Sequence, residues 1–155
     1  MNSTVDVLLY GDDIVFPRNL NCEKVSNIEE DTISNDHRTV YLIINDLDGN
    51  LDLSKDEFVY LKEYADEHSN FNYYYLGTDK LDFIEETFQN CDQVCNFDER
   101  DMSSGYETRE GDKMLIGGIW SKDDEECLTE DNPDMIGENL IWHMYQGVTH
   151  SEKKN

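Results

Sequence analysis

The sequence predicts an α/β fold: a single domain with a mainly parallel sheet of four or five strands, flanked by about three helices. Two stretches carry that expectation. Residues 39–76 read as a complete strand–helix–strand unit, and Asn132-Pro133 opens a further helix after another apolar strand. A strand, a helix of about four turns and a second strand form a parallel unit, because only a long crossover can return the chain to the same end of the sheet.

Taken in order, residues 4–10 are β-branched and apolar and stop at Gly11-Asp12-Asp13, which gives a first strand. Residues 14–38 are broken by Pro17 and several Asn and read as a loop with room for one short helix or edge strand. Thr39-Val40-Tyr41-Leu42-Ile43-Ile44 is apolar on both faces, as in a strand covered on both sides. An acidic loop leads to Ser54-Lys55-Asp56-Glu57, a capping-box pattern in which the Ser and Glu satisfy each other's backbone N–H groups. Phe58, Leu61, Tyr64 and Ala65 then recur at helical spacing, predicting a helix over 54–68. Phe71 to Leu76 follows as a strand.

Gly77-Thr78-Asp79 is a turn that can start a second helix over 79–90, with Leu81, Ile84 and Phe88 on one face. Residues 94–97 have the apolar content of a short strand, while 98–112 are polar and Gly-containing and read as a mobile loop. Lys113 to Trp120 is a strand interrupted by Gly117 and Gly118. Pro at the first helical position after Asn132 predicts a third helix over 133–146, which Gly147 ends. No Pro-rich or Gly/Ser-rich linker divides the chain, so residues 1–148 are expected to form one domain and 149–155 a flexible tail. A chain of 155 residues buries roughly 70% of its unfolded surface in one core.

Charge is the most unusual global property. Thirty-six acidic residues against 12 basic ones give a formal net charge of −24. Such a surface repels nucleic acid and anionic membranes and attracts basic partners. Asn, Ile and Tyr are abundant and Ala occurs only at Ala65, a bias that should also raise Lys; only eight lysines are present. The acidity is therefore a property in its own right. Cys22, Cys91, Cys95 and Cys127 are scattered, and residues 1–10 lack the basic and long apolar regions of a secretory leader. The expectation is a cytoplasmic protein with free thiols, and no apolar run approaches the roughly 18 residues of a membrane span.

Two motifs bear on chemistry. Residues 46–57 place oxygen side chains at Asp46, Asp48 and Asn50 and an acid at Glu57, the spacing of positions 1, 3, 5 and 12 of a calcium loop. This segment resembles the EF-hand calcium loop, which implies a calcium site there; Leu51 stands where that family has Gly, and a strand precedes the loop in place of a helix. The second motif follows from the fold, because open parallel sheets bind ligands beyond the carboxyl ends of their strands. Asp12 and Asp13 follow the first strand, Asp46 and Asp48 the next, and Thr78 and Asp79 the third. These acids could surround a hard cation such as Mg²⁺. The arrangement resembles the acidic pocket of response-regulator receiver domains. That resemblance implies that Asp12 and Asp13 hold metal, Asp46 accepts phosphate and Thr78 supports it; the sequence departs from the family in that no Lys follows a clear strand soon after Thr78. No Gly-x-Ser-x-Gly, phosphate loop or His-Glu-x-x-His occurs.

The remaining feature is the distribution of acids into clusters: Glu29, Glu30 and Asp31; Asp98, Glu99 and Asp101; Asp123, Asp124, Glu125 and Glu126. Clustered carboxylates can compete with nucleic-acid phosphates for a basic groove, with strong salt sensitivity. Tyr73, Tyr74, Tyr75, Tyr106, Trp120, Trp142 and Tyr145 supply candidate interface anchors. The reading is a non-enzymatic acidic interaction protein, an inhibitor or nucleic-acid-mimicking decoy. It would bind a basic, nucleic-acid-binding protein through those clusters, without cofactor. Small acidic proteins of phage and mobile elements that block host defence nucleases are similar in this general character. The alternative is a Mg- or Ca-dependent α/β enzyme or phosphoacceptor domain using Asp12, Asp13, Asp46 and Asp48.

Overall fold

A computed structural model describes residues 5–14, 22–29, 38–88, 103–109 and 111–117. Six strands form one sheet: β1 (Val5–Gly11), β2 (Cys22–Lys24), β3 (Thr39–Asn45), β4 (Phe71–Leu76), β5 (Ser103–Arg109) and β6 (Asp112–Gly117). Their order is β2-β1-β3-β4-β5-β6. The first four strands run parallel, whereas β5 is antiparallel to β4 and β6 antiparallel to β5. The described helices are α1 (Lys55–Glu67), between β3 and β4, and α2 (Leu81–Thr87), after β4.

This architecture corrects the expected one. The sheet is six-stranded and mixed, in place of a mainly parallel sheet of four or five strands, and two helices stand among the described residues in place of three. The helix expected at 133–146, the strand at 94–97 and the tail at 149–155 lie outside the described residues. The main source of the difference is the β5–β6 hairpin. Arg109 pairs with Asp112, so two residues make the connection, and Gly111 adopts φ +88°, a left-handed conformation that suits such tight turns. Part of the polar stretch 98–112 is thus a strand whose stability comes from its neighbours. The Thr108 N–H donates to Asn72 Oδ1 at 2.8 Å, and Tyr74 Oη donates to Glu107 Oε2 at 2.7 Å. At the other edge, part of the segment 14–38 forms the three-residue β2 beside β1.

The strand–helix–strand unit forms as its residues dictate. Ser54 caps α1 and the capping box is complete: Ser54 Oγ accepts the Glu57 N–H at 3.3 Å, and Glu57 Oε1 accepts the Ser54 N–H at 2.9 Å. Phe58, Leu61, Tyr64 and Ala65 of α1 are buried in one cluster with Val40, Leu42 and Ile44 of β3 and with Phe71, Tyr73 and Tyr75 of β4. Aromatic pairs knit this layer together, with Phe58 edge-on to Tyr75 at 5.5 Å and Tyr64 edge-on to Phe71 at 5.0 Å between ring centroids. Ile84 of α2 and Phe88, the residue that caps its C-terminus, extend the cluster to Tyr106 of β5. The alternate residues Tyr41, Ile43, Tyr74 and Leu76 are just as buried, which accounts for the uninterrupted apolar character of β3. Each such large side chain stabilises the fold by about 1.5–3 kcal/mol through burial. Tyr73, Tyr74, Tyr75 and Tyr106 therefore belong to the core and are not interface anchors; Trp120, Trp142 and Tyr145 lie outside the described residues. Among the described residues, no helix is long and apolar enough to cross a membrane.

Candidate functional site at the carboxyl edge of the sheet

The parallel strands β1, β3 and β4 end side by side, with Gly11 opposite Asn45 and Asn45 opposite Leu76. The residues that follow each strand are therefore neighbours at one edge. After β1 the chain moves to β2 on one side, and after β3 it moves to β4 on the other. The connections thus diverge between β1 and β3, the position at which open parallel sheets form a crevice.

Asp46, the first residue after β3, is sealed at this edge with 1% of its surface exposed. Its Oδ1 accepts the Leu51 N–H at 2.9 Å. Its Oδ2 accepts Tyr75 Oη at 2.6 Å and Lys80 Nζ at 2.9 Å. Lys80 is itself buried, donates to Asp79 Oδ2 at 2.9 Å, and offers its backbone N–H to Tyr75 Oη at 3.1 Å. Burial opposes the charge on Lys80, but the hydrogen bonds to Asp79 and Asp46 outweigh it and hold the ammonium above its ordinary pKa. Burial, together with the bond to Asp46, raises Tyr75, which stays a neutral donor. Gly77 brings the turn after β4 against this group. It adopts φ +137°, and a Cβ there would stand 2.4 Å from the Asp46 carbonyl oxygen, so a side chain cannot be fitted without moving backbone.

Asp12 and Asp48 lie at the same edge but face solvent. The Asp12 backbone is tied to β3, its N–H donating to the Asn45 carbonyl at 3.3 Å and its carbonyl accepting Asn45 Nδ2 at 3.1 Å. Local desolvation, then the hydrogen bond and repulsion from Asp48, raise the Asp12 pKa, with Lys24 pulling the other way. Asp13 is exposed and pairs with Lys24 at 2.7 Å. Asp79 is half-exposed and lies against Gly49, whose Cβ position is 3.6 Å from the Asp79 side chain. The acids after β1, β3 and β4 thus form one continuous edge. Thr78 is exposed in the same turn.

Both motif-based expectations can be placed against this geometry. In the loop 46–57, the first candidate ligand, Asp46, binds Leu51, Tyr75 and Lys80, while the last, Glu57, is taken up by the α1 cap. Gly49 takes the left-handed conformation, two residues before Leu51, and the loop ends in the α1 capping box. Of the metal candidates, the structure brings Asp12 and Asp48 together, ties Asp13 to Lys24 and turns Asp46 inward. Among the described residues, no group of three or more His, Cys, Asp or Glu could hold a metal ion. Lys80 is the site residue that sequence reasoning missed. It sits in a turn and not on a strand, and only its spacing from Thr78 in Gly77-Thr78-Asp79-Lys80 could have marked it.

Of the partner-binding candidates, Glu29 is exposed. Glu30, Asp31, Asp98, Glu99, Asp101, Asp123, Asp124, Glu125 and Glu126 lie outside the described residues. Cys22 is a free, half-buried thiol on β2. Burial, with Asp13 adding to it, pushes the thiol up to about 11, so it is protonated at neutral pH and a poor nucleophile. Comparison with protein-family models, with curated proteins and with solved structures finds no match.

Proposed function

We propose that this protein is a non-enzymatic, acidic interaction protein of the cytoplasm that occupies the basic nucleic-acid-binding surface of a partner protein, as an inhibitor or decoy. The observation that carries the reading is the continuous acidic edge formed by Asp12, Asp13, Asp48 and Asp79, beside the acids of the α1 and α2 first turns, Asp56 and Asp82. Two of these acids carry a cation, Asp13 with Lys24 and Asp79 with Lys80, and Lys55 pairs with Glu86, so Asp12 and Asp48 supply the charge at this edge that no salt bridge answers. With a net charge of −24, long-range attraction would speed encounter with a basic groove, and binding would weaken steeply with salt. Glu29 and the clusters at 98–101 and 123–126 supply further carboxylates for such a contact.

The metal-dependent or phosphoacceptor reading draws on the same strand ends, and Lys80 stands against Asp46 as that chemistry would want. Its central residue counts against it. A carboxylate that accepts a phosphoryl group or binds a hydrated cation needs an open oxygen, and Asp46 is 1% exposed with both oxygens engaged.

The test is capture of binding proteins from the native host on immobilised protein, with elution along a salt gradient, followed by competition against DNA and RNA. The expected result is a basic protein released by salt and displaced from nucleic acid. Affinity should fall as salt is raised from about 50 to about 200 mM, because attraction between exposed carboxylates and a basic groove is screened over that range. The double reversal Asp12→Lys and Asp48→Lys, at two exposed positions, should abolish capture with the chain still folded. Salt-insensitive capture, or a constant 1:1 complex that leaves nucleic-acid binding untouched, would overturn the decoy reading; the latter points to an assembly partner.

A further inference from the structure

We draw no further inference here: the strongest candidate, the cluster of Asp12, Asp48 and Asp79 carboxylates at the carboxyl ends of β1, β3 and β4, belongs to the acidic face already proposed as the binding surface and has no second observation that identifies a ligand.

Discussion

Asp46 and Asp12 follow adjacent strands at the same edge of the same sheet, and they obey opposite physics. Asp46 is removed from water and held by a phenol, an ammonium and a backbone N–H. Asp12 stands in solvent beside Asp48, with Asp13 close by. A buried carboxylate must have its charge answered by protein groups, so its surroundings become structural. An exposed one is answered by water and counter-ions and remains available to a partner. The inner acid therefore organises the edge, and the outer acids give it its charge.

The sharpest way to break this contrast is Lys80→Met, which leaves Asp46 buried without its cation. The expected loss is about 3–5 kcal/mol of unfolding free energy, as for other buried pairs missing one partner, read from urea denaturation. The double variant Asp46→Asn, Lys80→Met should recover much of that loss. Equal instability of single and double variants would mean that the pair is not the source of the effect. Tyr75→Phe comes next. It removes a hydrogen bond to a charged group and should cost about 2 kcal/mol, with the chain still folded and its acidic edge intact.

Ser54→Ala tests the boundary between the two environments, because the α1 cap is well made yet exposed. Loss of a cap of this kind costs about 1 kcal/mol, and a thermal melt should record it. The smallest effect is expected from Asp48→Asn on the outer side, where stability should rise slightly at neutral pH. Its pH dependence is the informative part. Asp12 has a folded pKa raised above its unfolded value, so the folded state binds more protons than the unfolded one between those two values. Its contribution is complete below the unfolded pKa, near 3.8, and is lost as pH rises through the higher folded value. The wild-type protein should therefore lose stability relative to Asp48→Asn as pH rises from about 4 toward neutrality. A constant difference across that range would mean that the two carboxyl groups do not interact.

Sequence alone determined the elements whose stabilising information is local. The capping box fixed the start of α1, helical periodicity fixed its buried face, and the two-sided apolar run of β3 marked a covered strand. It also placed Asp12, Asp13, Asp46 and Asp48 at strand ends, since strand boundaries and chain direction follow from pattern. Tertiary structure decided the rest. β5 has Tyr106 as its one large core side chain among polar residues, and it becomes a strand because β4 and β6 pair with it through hydrogen bonds that no single segment contains. Which aspartate would be sealed and which left open depended on Tyr75 and Lys80, 29 and 34 residues beyond Asp46. A one-dimensional pattern records the type of an acid and its position on a strand; its burial is set by the groups that the fold packs around it.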